Sequence, residues 1–474
     1  MLNIFTKKGQ ESNIKREQMH PMIMLVCIVI LCALASYIIP AGTYERVYDA
    51  ALDREIVDAS SFTFIERNPT GIMDLLMSLT KGLQNAAGII FFLLIVGGMF
   101  SILNATGALN VGIANLLKAF KGSYYFLIPV FMLLFGAGSA LCGNFEEFLV
   151  FVPLVLACCM TLGLDSLVAV GIIFMAATAG YAGAITNPFT VGIAQQISGL
   201  ELFSGMGLRV ALFLSLEAAS IGYIIYYANR IRKNPRLSYS YEYDRVNNID
   251  KKIDLNAIPK LTVRQAFVIM VFAIGIGFSI AGIIIWGYYI DELSGIFLAT
   301  GIVAGLVGGL NANKICEAFI KGCKDMILPC IMIGLANSAV VILQEANVLD
   351  TMLYGLSLLI AKFPKSIMAY GMFVAHELFN VVVPSGSAQA SAVMPVFVPL
   401  SDANGISRQI SVLSYQMGDA FTNIMAPTGG EILAALAICK VPFVKWVRFL
   451  IPLFILWWVI ALAFIIIATQ IGYV

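Results

Sequence analysis

The chain has 474 residues, of which 60% are hydrophobic and only 12% are charged, and its mean hydropathy is +0.89. Because soluble domains carry about a quarter charged residues, this composition excludes a soluble enzyme and a disordered chain. The 29 basic residues are balanced by 28 acidic ones, which also excludes the basic face of a nucleic-acid binder. An all-α polytopic membrane protein remains, with enough apolar sequence for roughly ten spanning helices.

The charges that flank the apolar runs predict their orientation. The first run, 21–39, suits a retained membrane anchor better than a cleaved signal peptide. Basic side chains precede it, so residues 1–19 are predicted to be cytoplasmic. Segment 41–70 holds three arginines against six acids and is predicted to lie outside. Because residues 230–264 hold nine basic and four acidic side chains, the linker 230–262 is predicted to be cytoplasmic.

An odd number of crossings must connect the external segment with the linker. The first half, 20–229, is predicted to contain a helix near 86–106, hairpin 1 near 124–163, a broken helix near 166–200 and a helix near 206–229. Five full crossings would also satisfy parity. A re-entrant hairpin 1 is preferred because 139–147 offers no long polar loop for water.

The second half, 263–474, has a similar pattern. It is predicted to contain helices near 263–289, 293–311 and 325–345, hairpin 2 near 366–401, a broken helix near 406–438 and a last helix near 444–472. Nine transmembrane helices and two re-entrant hairpins result, with the N-terminus inside and the C-terminus outside.

The two halves resemble each other at matching positions. Pro153 corresponds to Pro395 at an offset of 242, and Pro188 corresponds to Pro427 at an offset of 239. Because an odd number of crossings separates equivalent elements, the two repeats are predicted to be inverted in the membrane. Inverted repeats with broken helices are typical of secondary transporters.

Four polar clusters interrupt the apolar sequence. They lie at 143–147, 183–190, 384–391 and 423–430, and they combine helix breakers with small or polar residues. Irregular backbone at membrane depth is tolerated only where protein or a water-filled cavity satisfies it. Its free carbonyls can hold a cation, and amides at a half-helix N-terminus can hold a carboxylate. Together the clusters predict a binding site for a zwitterion such as an amino acid.

Acidic side chains lie within the predicted membrane segments without an obvious cation. Glu146, Glu147 and Asp419 are therefore expected to be protonated, or to be neutralised by a proton, a metal ion or a basic substrate. Three other acids are expected to serve helix-end or interhelix hydrogen bonds, namely Glu217, Glu345 and Glu431. His376 is expected to be a satisfied core histidine.

Enzyme motifs are incomplete. The run from His376 to Asn380 matches the HExxH zinc motif except at its last position, and His20 is the only other histidine. No Walker motif for ATP is present. An enzyme is therefore not expected, no cofactor is implied, and coupling to Na⁺ or H⁺ stays open.

At these residues the sequence resembles the ion transporter superfamily, most closely its YfcC/arginine–ornithine antiporter (ArcD-like) branch. The acidic pair Glu146-Glu147 and the run 384–390 resemble the tips of that branch's two hairpins, and 184–190 and 426–430 resemble its two helix breaks. The likeness extends from about residue 20 to the C-terminus. It implies a homodimer in which a transport domain moves like an elevator against a scaffold domain.

The resemblance and the polar clusters together predict the substrate-binding site and the transported solute. A small amino-acid-like solute is expected, in the first place a basic amino acid, moved across the prokaryotic cytoplasmic membrane. Asp419 is expected to be the ion- or proton-linked acid. The relatives with dicarboxylate substrates carry Ser-Asn-Thr at both tips, unlike this chain, but a C4-dicarboxylate or short-chain fatty acid carrier remains the alternative. The predicted substrate-binding residues are Asn144, Glu146, Glu147, Thr186, Asn187, Thr190, Ser385, Gly386, Ser387, Gln389, Asn423 and Thr428.

Overall fold

The computed structural model describes residues 21–49, 54–119, 123–246, 261–286 and 288–474. The predicted cytoplasmic segment 1–19 and residues 247–260 of the predicted linker lie outside this described part of the chain. The described chain is a polytopic all-α membrane protein, as the composition predicts, with a few short strands near its start.

The first half places four short strands between its first two helices. It contains α1 (Pro21–Ile38), β1 (Gly42–Thr43), β2 (Arg46–Asp49), β3 (Arg54–Val57), β4 (Thr63–Phe64), α2 (Ile72–Asn85), α3 (Ala87–Ala105), α4 (Ala108–Ala119), α5 (Tyr124–Cys142), α6 (Val152–Thr161), α7 (Ser166–Gly183), α8 (Ile193–Ile197) and α9 (Met206–Lys233). Strand β1 pairs with β4 and β2 pairs with β3, both antiparallel.

The second half follows a short helix in the linker. The linker helix is α10 (Tyr241–Val246). The second half contains α11 (Val263–Ala281), α12 (Ile290–Val307), α13 (Ala312–Glu345), α14 (Leu349–Ile360), α15 (Lys365–Asn380), α16 (Gly386–Ala403), α17 (Arg408–Met425), α18 (Gly430–Ile438) and α19 (Phe443–Gln470).

Helix lengths repeat between the halves. Helices α2 and α3 together span 72–105, and α13 spans 312–345, at an offset of 240. Helices α4 and α14 have 12 residues each, and α9 and α19 have 28 residues each. These equalities support the internal repeat. Its inversion in the membrane and the division into scaffold and transport domains stay predictions.

The helices pack into two groups. In one, α13 packs along α1, α2 and α3, and α3 packs on α12. In the other, α7 packs on α5, α9 and α17, while α17 packs on α15, α16 and α19. All residues of α7 are buried, which explains why this helix lacks a polar stripe. Contacts between α13 and α18 connect the two groups.

Backbone breaks lie where the sequence places its glycines and prolines. Helix α5 ends at Gly143, whose φ of +77° is accessible to glycine without strain. Helix α7 ends at Ala184, which adopts a φ of +39°, and Pro188 begins the next turn. Helix α17 ends just before Pro427, because proline lacks the amide that would continue the helix.

The structure contains one candidate membrane span in a segment that the sequence does not predict as a full crossing. Eight helical segments in the described part of the chain are long and apolar enough to cross a membrane, and the shorter apolar helices include Leu25–Ile38 and Val263–Ser279. One of the eight, Tyr124–Cys142, lies in the segment predicted as the first leg of hairpin 1. Helix α13 begins 13 residues before the predicted start at 325, because its first turns carry charges that hydropathy does not detect.

Candidate substrate-binding site

A cavity of about 180 Å³ lies where the two hairpin tips meet the two helix breaks. All four polar clusters identified in the sequence contribute to its wall, which also includes one residue that precedes α12. Its lining consists of Gly143, Phe145, Glu146, Tyr181, Phe189, Ile193, Tyr289, Pro384, Ser385, Gly386, Ser387, Asn423 and Glu431. Five of the predicted binding residues are among them: Glu146, Ser385, Gly386, Ser387 and Asn423.

Glu146 presents its carboxyl group to this cavity. It is half-buried at the start of a 3₁₀ turn, Glu146–Phe151. The Tyr289 hydroxyl donates a hydrogen bond to Glu146 Oε2 at 3.3 Å. The carboxyl group of Glu431, in the first turn of α18, is a second close neighbour within hydrogen-bonding reach. Two adjacent carboxyl groups are stable only when a proton or a bound cation reduces their repulsion.

Glu147 has a different environment from Glu146. It is buried, and its Oε2 accepts a hydrogen bond from the Phe145 amide at 3.0 Å. It does not line the cavity. The geometry therefore separates two acids that the sequence treats as a pair: Glu146 faces the cavity, and Glu147 fixes the hairpin backbone.

Asp419 lies below the tip of hairpin 2 and is fully buried in α17. Its Oδ1 accepts a hydrogen bond from Asn380 Nδ2 at 2.6 Å, and Asn423 is a neighbour of the same carboxyl group. A Cβ atom added at Gly386 would lie 2.7 Å from Asp419 Oδ2, from Thr190 Cγ2 and from the Tyr181 hydroxyl. The hairpin tip therefore rests directly on Asp419 and on the first helix break.

Three of the other predicted residues hold the breaks in place rather than line the cavity. Thr186 donates to the Leu141 carbonyl at 2.9 Å, and Thr428 donates to the Val381 carbonyl at 2.7 Å. Asn187 caps the turn after the first break by accepting from the Phe189 amide. Asn144, Thr190 and Gln389 are also absent from the lining.

Eight of the lining residues are not among the predicted binding residues: Gly143, Phe145, Tyr181, Phe189, Ile193, Tyr289, Pro384 and Glu431. Tyr289 and Phe189 pack with ring centroids 5.5 Å apart. Aromatic residues inside apolar sequence give no pattern that distinguishes a binding role from packing. The contact between Glu431 and Glu146 agrees with the interhelix hydrogen bonding predicted for Glu431. Its place in the cavity wall, directly after Gly430 at the second break, is not predicted from the sequence.

Two expectations about buried polar groups were wrong. His376 is fully buried, yet neither ring nitrogen has a hydrogen-bond partner, because the ring packs against Phe397 and Tyr415. Glu217 also lacks a partner for its carboxylate oxygens, because α9 packs it against Gly136, whose backbone lies within α5. Glu345 does have a helix-end role, in an ion pair with Lys81.

No cation in the described part of the chain pairs with the cavity acids. The ion pairs found there are Arg46–Asp350, Lys81–Glu345 and Arg408–Asp402. None of them includes Glu146, Glu147, Asp419 or Glu431. The carboxyl groups of the cavity are therefore not engaged by a cation of the described chain and can interact with a group that enters.

Two larger cavities flank the central one. The first, of about 520 Å³, contacts α13 at Lys321–Met326, and the second, of about 530 Å³, contacts α13 at Gln344. At 1.5 Å per helical residue these contacts are roughly 27 to 35 Å apart, close to the thickness of a hydrocarbon core. Ser387 lines both the central cavity and the second flanking cavity, so hairpin 2 separates the two.

A multi-span helical protein with a small polar cavity among helix breaks has the architecture typical of secondary transporters. The sequence profile of the DcuC family, described as "C4-dicarboxylate anaerobic carrier", matches residues 19–470. The chain belongs to this family.

Individual relatives are consistent with that assignment. The chain is 30% identical over 464 residues to a protein of Escherichia coli K12 named "Putative basic amino acid antiporter YfcC", with 90% of this chain and 91% of that protein covered. It is 31% identical over 409 residues to an uncharacterised protein of Haemophilus influenzae, covering 85% of this chain and 80% of the other.

Two solved transporters are more distant. The YdaH transporter of Alcanivorax borkumensis has a TM-score of 0.42 and 17% identity, covering 96% of this chain and 99% of that one. MtrF of Neisseria gonorrhoeae, described among antimetabolite efflux pumps, has a TM-score of 0.41 and 17% identity, covering 95% of each chain.

Proposed function

We propose that the protein is a secondary active transporter of a basic amino acid, such as arginine or ornithine, working by exchange or with ion coupling. The observation that carries the proposal is the composition of the central cavity. It is lined by Glu146 and Glu431, and no arginine, lysine or histidine is among its described lining residues. A cationic side chain that enters would relieve the repulsion between these carboxyl groups.

A second part of the cavity lining suits the amino-acid backbone of the solute. Ser385 and Gly386 lie at the N-terminal end of α16, whose free amides favour a carboxylate. The carboxyl group of Glu146 and the first turn of α16 therefore provide separate places for a cation and an anion. The name of the E. coli relative supports the same class of solute.

In this proposal, Asp419 is the acid that binds the coupling ion or proton. Its buried carboxyl group contacts the underside of the hairpin 2 tip at Gly386. A proton or a cation bound at Asp419 would neutralise its carboxylate, which lies next to the tip of hairpin 2. Occupancy of Asp419 would then be coupled to the position of this hairpin. We further propose that a homodimer in the prokaryotic cytoplasmic membrane operates by an elevator movement of the hairpin-bearing helices, as the family resemblance implies.

The second candidate is a carrier for C4-dicarboxylates or short-chain fatty acids. The description of the matching family favours it, and helix N-termini can bind carboxylates without arginine. In this cavity, however, an anion would have to bind beside Glu146 and Glu431.

A thermal-shift screen of the purified protein against arginine, ornithine, succinate and butyrate separates the two candidates. A ligand that binds the folded state raises the unfolding midpoint by mass action. We expect arginine or ornithine to raise it in wild type and in the control Glu317→Gln, an exposed acid on α13. Glu146→Gln should fold but lose the shift. A shift with succinate or butyrate alone would contradict the proposal, as would an unchanged response of Glu146→Gln.

A further inference from the structure

Arg209 is a buried cation that no carboxylate accompanies in the described ion pairs. It is the fourth residue of α9 and is almost fully inaccessible to solvent. Its guanidinium donates to acceptors at 2.7 to 3.3 Å, four carbonyls and one hydroxyl: those of Ala184, Ile185, Phe203, Ser204 and Tyr473. A buried guanidinium charge is stable only where hydrogen-bond acceptors such as these replace the water molecules that would otherwise solvate it.

Two of these carbonyls belong to residues with an uncommon backbone. Ala184 has a φ of +39° and Phe203 a φ of +60°, in the left-handed region that residues with a side chain rarely adopt. Ala184 and Ile185 form the first helix break, directly before the turn whose residue Phe189 lines the central cavity. Arg209 therefore holds the unwound part of the broken helix.

The second half of the chain has a counterpart that is not charged. Trp446 is the fourth residue of α19, as Arg209 is of α9, and it is fully buried. Its indole N–H donates to the Ile424 carbonyl at 2.8 Å. Ile185 and Ile424 each lie three residues before the proline of their break, Pro188 and Pro427. The same backbone position thus receives a cation in one half and a neutral donor in the other.

Unwound carbonyls in broken transporter helices are where coupling cations bind. We propose that Arg209 is a tethered cation that takes the place of a coupling ion at the first helix break. This half of the protein then needs no ion from solution, and ion linkage is confined to the second half, near Asp419. The inference rests on the transporter class of the chain but not on the charge of its substrate.

Chemical rescue tests the proposal without any substrate. Arg209→Ala removes the cation, and the matched control Trp446→Ala removes the neutral counterpart. We expect millimolar methylguanidinium to raise the unfolding midpoint of Arg209→Ala by several degrees, and to leave wild type and Trp446→Ala unchanged. Methylurea, a neutral molecule of similar shape, should not replace it. Equal rescue by methylurea, or no rescue by methylguanidinium, would show that Arg209 is only a structural tether.

A second pair of variants covers the case in which Arg209→Ala does not fold. Arg209→Lys keeps the charge with fewer donors, whereas Arg209→Gln keeps amide donors without the charge. The proposal expects Arg209→Lys to accumulate in membranes and unfold within a few degrees of wild type, and Arg209→Gln to be much weaker in both respects. Equal behaviour of the two variants, or a better Arg209→Gln, would overturn it.

Discussion

Glu146 and Glu431 belong to different repeats, yet their carboxyl groups meet in one small cavity. Glu146 begins the 3₁₀ turn of hairpin 1, and Glu431 lies in the first turn after the second helix break. Tyr289 adds a hydrogen-bond donor from outside the hairpins and breaks. An entering cation would therefore contact elements from both halves at once, which makes its binding sensitive to their relative position.

Replacing Glu431 by Gln tests this shared environment. The substitution keeps the shape of the side chain and removes one of the two acids that would face a cationic side chain. We expect the affinity for a basic amino acid to fall by about tenfold, equivalent to ~1.4 kcal/mol, because a charge-assisted contact is lost. Isothermal titration of the purified variant measures the change. An affinity equal to that of wild type would show that Glu431 does not contact the substrate.

At the scale of single elements, the hairpin tips depend on glycines that lie against polar side chains. Gly143 lies against Asn187 of the first break, and Gly386 lies against Asp419, Thr190 and Tyr181. Each tip therefore has room for a hydrogen atom but not for a methyl group. The position of a hairpin is set by the polar residues beneath it.

Gly386→Ala should displace hairpin 2. The added Cβ would lie 2.7 Å from three atoms in well-packed surroundings, so we expect a loss of stability of about 1–3 kcal/mol. Substrate affinity should fall together with stability, because Ser385 and Ser387 move with the tip. Gly355→Ala in α14 is a matched control, since no neighbouring atom lies within 4 Å of its added Cβ. Equal stability and affinity for both variants would contradict this packing.

The linker forms a pH-sensitive contact with the start of α7, at the other end of this helix from the first helix break. Asp244 accepts hydrogen bonds from the Ser166 amide and hydroxyl at 3.2 and 2.6 Å and from the Ser240 hydroxyl at 2.8 Å. Burial, together with the nearby Asp165, raises the pKa of Asp244 to about 6. Protonation of Asp244 is therefore more favourable in the folded protein than in the unfolded chain.

Because the pKa of Asp244 is higher in the folded protein than in the unfolded chain, protonation of Asp244 stabilises the fold. This stabilisation is fully present below about pH 4 and is lost as the pH rises through 6. We expect the free energy of unfolding to increase by on the order of 1 kcal/mol from pH 7.5 to pH 5. Asp244→Asn should remove most of this increase. Unfolding midpoints measured across that range check the prediction, and parallel profiles for the two proteins would refute it.

The elements also show how far sequence reasoning extends. The breaks at Ala184 and near Pro427 were predictable because proline and small residues interrupt apolar helices. The short helices α4 and α14 were not predicted, since 12 residues are too few to cross a membrane and hydropathy does not single them out. The strands between 42 and 64 have two to four residues each and are too short for a visible alternation.

The convergence of the four clusters on one cavity was predictable from the sequence, but the choice of lining residues within each cluster was not. The four clusters meet because they lie at the breaks of a repeated helical pattern. Which of two adjacent acids faces the cavity depends on the rotation of a 3₁₀ turn, which residue types do not specify. The contribution of Tyr289 required the packing of α12 against α3, a contact distant in sequence.

At the scale of the whole molecule, the central cavity lies between two flanking cavities of nearly equal volume. Equivalent parts of the two halves line them: Asn104 and Leu109 line one, and Gln344 and Leu349 line the other. Such a pair of cavities is expected when each of the two repeats forms the pathway to one side of the membrane.

Thiol labelling tests this arrangement. Ser387→Cys lies on the hairpin 2 side and Ser101→Cys on the other. We expect an impermeant maleimide applied to whole cells to modify position 387 and not 101, and the reverse in inverted membrane vesicles. Mass spectrometry at each position separates the signal from the nine native cysteines. Labelling of both positions from the same side would contradict the two-sided pathway.

Counterflow in proteoliposomes tests the central claim, that an acidic cavity selects a cationic amino acid, most directly. Vesicles loaded with ornithine and containing the purified protein should accumulate external labelled arginine, and excess succinate should not compete. The same vesicles with Glu146→Gln should show no uptake above protein-free liposomes. Uptake of labelled succinate in exchange for internal succinate, with no movement of arginine, would contradict the account.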